Sequence, residues 1–152
     1  MANEELLPSE VRARILRDHE RLRTEIDTLR RRARSVRRGD DEGSFREQAE
    51  RLLAAVRRHL ELEDEILLPT LRSIDAWGPE RAKRLAAEHE SQRRSLAAAE
   101  TELARVREPR ALVEVMERYA EDLEQDMAAE ERTELDEELL REFPIRTDFG
   151  GA

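Results

Sequence analysis

Residues 45–69 read FREQAERLLAAVRRHLELEDEILLP, and one residue in every three or four along this stretch belongs to a single stripe. Steps that alternate between four and three line one face of an α-helix, because the helix turns once in 3.6 residues. The members of the stripe are Phe45, Ala49, Leu52, Val56, His59, Glu63 and Ile66. An imidazole and a carboxylate, one turn apart, therefore interrupt an otherwise apolar and core-facing surface.

Three further segments carry stripes of the same spacing. Between residues 9 and 38 the stripe is Val11, Ile15, His19, Leu22, Ile26, Leu29, Ala33 and Val36. Between residues 79 and 107 it is Ala82, Leu85, His89, Gln92, Leu96, Ala99, Leu103 and Val106. Between residues 110 and 142 it is Leu112, Met116, Tyr119, Leu123, Asp126, Glu130 and Thr133. Each of four predicted helices therefore places ionisable side chains on its apolar face.

Capping and helix-breaking residues set the limits of these helices. Ser9 is a suitable N-cap for the first helix, and the glycines and polar residues of 39–44 separate it from the second, which ends near Pro69. Prolines in 76–79 and 108–109 separate the remaining helices. Short connections join antiparallel neighbours, so the sequence predicts an all-α, up-down-up-down four-helix bundle.

Length and composition agree with one helical domain. Ala, Glu, Lys, Leu and Arg make up 94 of the 152 residues, a bias typical of long helices. The bundle domain is expected over residues 1–142. The helical periodicity stops there, so residues 143–152 are expected to form a C-terminal tail.

Charge and cysteine content exclude several classes of function. The chain has no cysteine, which excludes disulfides, zinc–thiolate sites and a thiol nucleophile. With 43% charged residues and no long apolar run, it is expected to be cytoplasmic and to lack a membrane partner. The arginine-rich run 30–38 lacks interleaved aromatic residues, and the net charge is −9, so no nucleic-acid partner is expected. There is no glycine-rich phosphate loop.

The ionisable residues of the four stripes fall in adjacent layers of the predicted bundle. Each histidine lies ten residues from a helix end at the same end of the bundle, about 15 Å deep. The set is His19, His59, Glu63, His89, Asp126 and Glu130. Without a cation, each buried group would cost several kcal/mol of desolvation, so the pattern predicts a metal site. Imidazole and carboxylate ligands favour iron, manganese or zinc. Glu63 and Glu130 can bridge two ions.

These residues resemble the hemerythrin-like, HHE cation-binding family, whose pattern is a lone His, H-x-x-x-E, a second lone His and a final H-x-x-x-E. The corresponding segments are Asp18-His19-Glu20, His59-Leu60-Glu61-Leu62-Glu63, Glu88-His89-Glu90 and Asp126-Met127-Ala128-Ala129-Glu130. The resemblance implies two iron ions joined by an oxo or hydroxo bridge. His19 and His59 would bind one iron, and His89 and the fourth-helix ligand the other, with Glu63 and Glu130 bridging. Family members bind dioxygen or respond to nitric oxide, peroxide or iron.

The sequence departs from this pattern at two positions. Asp126 replaces the last histidine, and Arg93 stands one turn after His89, where oxygen carriers have another histidine. An extra carboxylate favours ferric iron, and therefore reaction or sensing over reversible oxygen transport. One alternative is a weak second metal position that leaves a single tightly held ion. Another is that Glu131, rather than Glu130, is the last ligand.

We therefore expect a di-iron protein that reacts with hydrogen peroxide or oxygen in a redox or iron stress response. The alternative is a module that binds or senses oxygen, nitric oxide or iron without turnover, so enzymatic activity stays open. A bundle without metal ranks last, because it leaves the buried charges unpaired. Tyr119 is expected to pack in the core, and Gln92 either supports a ligand or lies at the core boundary.

Overall fold

The computed structural model describes residues 5–40 and 42–141. The elements in these ranges are α1 (Pro8–Arg37), α2 (Glu42–Leu62), a π-helical turn (Glu63–Leu67), α3 (Leu68–Ile74), α4 (Gly78–Arg105) and α5 (Pro109–Arg132). The π turn joins α2 to α3 without a break, since its flanking residues are also helical. In the resulting bundle α1 packs on α2 and α5, and α4 packs on α2 and α5. The predicted all-α four-helix bundle is confirmed.

The first helix begins two residues earlier than an N-cap at Ser9 predicts. Pro8 occupies the first helical turn, where its fixed φ suits a helix and its missing N–H costs nothing. The N–H of Leu7 donates to Oε2 of Glu10 at 2.8 Å, so Leu7 is the N-cap position and Ser9 is not. All eight predicted stripe residues of this helix are buried.

Two glycines permit the short connections between helices. Gly39 has a φ of 87° in the turn from α1 to α2, a conformation that L residues rarely adopt. Gly78 begins α4, and a Cβ there would lie 2.3 Å from the carbonyl oxygen of Leu71. The α3–α4 connection is therefore closed by direct contact between two stretches of backbone.

The second helix does not end near Pro69, as the sequence predicted, but continues through the π turn to Ile74. A π turn holds more residues than an α turn, so it rotates the helix face that follows it. Leu67 and Leu71 are therefore fully buried, whereas the predicted stripe residue Ile66 is half-buried.

The last helix ends at Arg132, well before the predicted end at residue 142. The N–H groups of Thr133 and Leu135 both donate to the carbonyl of Glu130 and close the helix. The chain then turns, and Leu135 and Leu140 are buried against the end of the bundle. The predicted tail, residues 143–152, lies outside the described residues.

The buried face of α5 is also rotated from the predicted one. Ala120 and Met127 are buried, whereas Tyr119 is half-buried and Asp126 and Thr133 are exposed. The two faces share Leu112, Met116, Leu123 and Glu130. The sequence expectation that Asp126 points into the core is wrong, because the apolar Met127 takes the interior position beside it.

The core consists of two apolar clusters. The main core cluster runs from Leu22 to Met127 and contains most of the buried residues. The end cluster contains Val11, Ile15, Leu67, Leu71, Ala82, Leu85, Leu135 and Leu140. On α1, His19 lies between the last residue of the end cluster and the first of the main core cluster, so a polar layer separates the two. No helix among residues 5–40 and 42–141 is long and apolar enough to cross a membrane.

Candidate metal centre

Four of the six predicted ligands meet in the polar layer. His19 comes from α1, His59 from α2, Glu63 from the π turn and Glu130 from α5. One ligand atom from each lies within 4.8 Å of the others. None of the four side chains is more than 5% exposed. The geometry therefore suits a metal ion bound by two imidazoles and two carboxylates.

His89 of α4 joins this group from the opposite side of the bundle. Its side chain is fully buried, and its Nε2 lies 3.4 Å from Oε2 of Glu63. The other oxygen of Glu63 contacts Nε2 of His59. Glu63 therefore lies between the two histidines. We call these five residues the buried cluster: His19, His59, Glu63, His89 and Glu130.

Asp126, the sixth predicted ligand, lies at the edge of the buried cluster. Asp126 is exposed overall, but it lines a small cavity of about 40 Å³ together with His19, His59 and Glu63. The structure therefore brings five of the predicted residues together in the interior and places the sixth at the boundary with solvent.

Several atoms of the buried cluster lack hydrogen-bond partners. They are Nδ1 and Nε2 of His19, Oε2 of Glu63, Nε2 of His89 and Oε1 of Glu130. An unpaired buried polar atom costs about 1–3 kcal/mol, so native proteins rarely collect several in one place. A cation accepts lone pairs from imidazole nitrogen and carboxylate oxygen alike. The donor set and its unpaired atoms therefore fit a metal site.

Two aspartates orient two of the histidines. Oδ2 of Asp18 lies 2.6 Å from Nδ1 of His59, and Oδ1 of Asp64 lies 2.8 Å from Nδ1 of His89. A carboxylate at Nδ1 fixes the ring and leaves Nε2 for the metal. The sequence analysis missed both roles. The available signal was that Asp18 precedes His19 and Asp64 follows Glu63, which places an acid beside each predicted ligand.

His19 has a different neighbour. Its Nδ1 lies 3.8 Å from Oε2 of Glu131, too far for a hydrogen bond, and both oxygens of Glu131 accept from Arg23 at 2.5 and 2.8 Å. Glu130 instead lies 3.3 Å from Nε2 of His19. Of the two adjacent glutamates, Glu130 faces the buried cluster and Glu131 closes its flank.

The histidines differ in protonation without a metal. Burial lowers the pKa of His59, but its hydrogen bonds to Asp18 and Glu63 outweigh burial and raise that pKa to about 9. Burial and the neighbouring His59 charge lower the pKa of His19 to about 4. Near neutral pH, a protonated His59 therefore supplies positive charge between two carboxylates, and His19 is neutral.

The two glutamates also differ. Burial raises the pKa of Glu63, but its hydrogen bond to His59 and the nearby imidazole of His89 outweigh burial and lower that pKa. Burial and the nearby Glu63 charge raise the pKa of Glu130 well above its ordinary value. Two carboxylates that share a buried site cannot both ionise cheaply. A cation would remove this conflict, since both could then be charged.

A groove connects the buried cluster to solvent. The groove, of about 680 Å³, runs between α4 and α5 and is lined by residues of both helices, including Gln92, Ser95 and Asp126. These three residues also line the small cavity. Tyr119 lines the small cavity and packs against the main core cluster, as the sequence predicted for it. Burial and the Asp126 charge raise its pKa, so it keeps its phenolic proton.

Comparison with known families identifies a matching family model. The family model described as the hemerythrin HHE cation binding domain matches residues 10–137, which include every residue of the buried cluster. No curated protein and no solved structure matches the chain.

Proposed function

The chain belongs to the hemerythrin HHE cation-binding domain family, and from this membership we propose that it is a non-haem di-iron protein that reacts with hydrogen peroxide or dioxygen. The observation that carries the proposal is the buried cluster, whose unpaired nitrogen and oxygen atoms converge on one small region. Iron suits this set of imidazole and carboxylate ligands, which contains no thiolate.

The residues of the buried cluster can be assigned to two ions. His19 and His59 would bind one ion, and His89 would bind the other. Glu63 and Glu130 would lie between them, since Glu63 already contacts both His59 and His89. Asp126 would bind the ion nearer the groove, because Asp126 lines the small cavity on its solvent side.

Binding of the ions would release protons. His59 must give up the proton that its raised pKa holds at neutral pH, and Glu130 must ionise despite its burial. Three carboxylates, those of Glu63, Glu130 and Asp126, would then offset most of the charge of two divalent ions. The exchange of protons for metal therefore leaves the interior close to neutral.

Bound iron would supply the one-electron redox chemistry that none of these side chains provides. The protein itself would shield the ions from bulk water and leave a route for small molecules to reach them. The main core cluster and the end cluster cover the site from both ends. The small cavity is bounded by four residues of the buried cluster, and Gln92, Ser95 and Asp126 line both this cavity and the groove, which gives small molecules such as peroxide or dioxygen a route to the ions. Tyr119 supplies a phenolic hydrogen-bond donor on the wall of the small cavity.

Peroxide turnover by the iron-loaded protein tests this function. Hydrogen peroxide is added in large excess and its consumption is followed, with a Glu63→Gln variant treated identically as the control. We expect many equivalents to be consumed per chain by the wild type, and background loss in the variant. Consumption that stops after about one equivalent would favour sensing, and wild-type loss equal to that of the variant would contradict the reaction.

A site for a single ion is the second candidate. This candidate is supported by the group of His19, His59, Glu63 and Glu130, whose ligand atoms all lie within 4.8 Å of one another. His89 is not part of that group. Exposure of Asp126 points the same way. A stoichiometry of one iron per chain, unaffected by His89→Ala, would establish this alternative.

A further inference from the structure

The groove between α4 and α5 carries an excess of negative charge. Its walls contain five carboxylates, those of Glu88, Asp122, Asp126, Glu130 and Glu134. Two arginines also line it, but Nη1 of Arg81 lies 2.7 Å from both carboxylate oxygens of Asp75, so its charge is largely balanced. The cationic lining that remains is Arg84.

The carboxylates of the groove lie near enough to one another to interact. Glu134 and Asp126 both interact electrostatically with Glu88, and Asp122 interacts with Asp126. Asp122 and Asp126 line the small cavity as well as the groove. The negative charges therefore extend from the groove to the wall of the buried cluster.

The innermost carboxylate of the groove is buried and unpaired. Glu130 is 5% exposed, its Oε1 has no hydrogen-bond partner, and it lines the groove, the small cavity and the buried cluster. The burial of this atom and its lack of a partner are observations beyond the charge of the other four carboxylates, and they point to a positively charged ligand.

Ion pairs close two other flanks of the buried cluster. Arg23 covers the side between α1 and α5 through Glu131, and Arg93 contacts Asp64 between α4 and the π turn. Each pair carries no net charge, so neither flank attracts a cation as the groove does. The negative groove is thus the favourable approach for a cation.

We propose that the groove captures divalent metal ions from solution and steers them to the buried cluster, with Glu88 and Asp122 as its outer carboxylates and Asp126 as the last before Glu130. This inference rests on the proposed metal-binding function. Clefts lined by one sign of charge raise the local concentration and association rate of oppositely charged ligands. The outer carboxylates act on the rate of loading and are not ligands of the bound ions.

The test is the rate of cobalt(II) uptake by the full-length, metal-free protein, followed by stopped-flow absorbance. The variant Glu88→Gln/Asp122→Asn removes two charges from the groove without changing side-chain size. The matched control is Glu61→Gln/Glu121→Gln, which removes two exposed charges that do not line the groove. Both variants have the same net charge, so a difference between them reports the position of the charges.

We expect the groove variant to load cobalt more slowly than the control at low ionic strength. Coulomb's law in water gives about fivefold per carboxylate for a doubly charged ion about 8 Å away. The difference should vanish at about 1 M salt, where the screening length is about 3 Å. The final number of cobalt ions per chain should be unchanged.

A second variant tests passage itself. Ser95 is exposed and lines both the groove and the small cavity, so Ser95→Trp should obstruct the path without changing charge. We expect slower uptake at every ionic strength and an unchanged final stoichiometry. Equal uptake rates in the groove variant, the control and Ser95→Trp, each with full loading, would overturn the proposal. Absence of bound cobalt in the wild type would instead overturn the proposed function.

Discussion

Nδ1 of His59 on α2 lies 2.6 Å from Oδ2 of Asp18 on α1, the residue immediately before His19. Adjacent residues on a helix point about 100° apart, so one dipeptide serves two purposes. His19 enters the buried cluster, while Asp18 holds a histidine that enters it from the neighbouring helix. This contact fixes the position of α1 relative to α2 at the depth of the site.

Replacement of Asp18 by Asn should weaken metal binding. Loss of the carboxylate removes the charged partner of His59 Nδ1, and such outer partners contribute about 10–100-fold to metal affinity. Competition with a coloured chelator measures the change. Asp27→Asn, at an exposed position on the same helix, is the control and should bind like the wild type. Equal affinity in the two variants would show that Asp18 does not support the site.

Replacement of Glu130 by Gln should stabilise the metal-free protein. Burial and the Glu63 charge oppose ionisation of Glu130, and a neutral amide of the same shape removes that penalty. We expect a gain of about 1 kcal/mol, or a Tm higher by about 2–4 °C for a domain of this size. The same variant should bind metal poorly. If the variant has a lower Tm than the wild type when both are measured with a chelator, burial of the Glu130 carboxylate does not destabilise the metal-free protein.

The metal-free protein should lose stability as the pH rises above neutral. The folded-state pKa of His59 is about 9, above its ordinary value of 6.5. Its contribution is therefore complete below about pH 6.5 and is lost as the pH rises through 9, on the order of 3 kcal/mol in all. Burial also raises the pKa of Glu130, which acts in the same direction.

Urea unfolding in the presence of a chelator measures this loss at a series of pH values. His59→Gln should show a shallower decline, since it lacks the group that titrates. The lowered pKa of His19, about 4, has the opposite sign, so its contribution is lost as the pH falls from about 6.5 through 4. A wild-type stability that is flat from pH 6.5 to 9 would contradict the protonated state assigned to His59.

Replacement of Gly78 by Ala should destabilise the bundle. The added Cβ would lie 2.3 Å from the backbone oxygen of Leu71, so the α3–α4 connection must move. We expect a loss of about 2 kcal/mol or more, because backbone cannot yield as a flexible side chain does. Gly43→Ala, at an exposed position in the first turn of α2, should instead be neutral or stabilising. Similar Tm values for both variants would contradict the close approach at Gly78.

The sequence predicted the interior best where a helix has one unambiguous apolar face. On α1 every residue of the predicted stripe is buried. On α5 two faces compete, since Ala120 and Met127 lie one residue beyond Tyr119 and Asp126. Packing against the other helices buries the more apolar pair, although the predicted stripe passes through the less apolar one.

The remaining differences arise from contacts between distant residues. The π turn at Glu63–Leu67 places both Glu63 and Leu67 in the interior. Regular α-helical periodicity does not include such a turn, so the prediction extended the buried stripe to Ile66 instead of Leu67. The pairing of Asp18 with His59 joins two helices and leaves no trace in the spacing along either one. The convergence of the histidines was predictable because each interrupts an apolar face at the same depth.

The number of iron ions per chain tests the central claim most directly. The metal-free protein is loaded anaerobically with iron(II), desalted, and analysed by mass spectrometry for iron and by amino-acid analysis for protein. We predict about two irons per chain in the wild type and a marked loss in Glu63→Gln, since Glu63 contacts both His59 and His89. A wild-type value near zero would contradict the assignment of the buried cluster as a metal site.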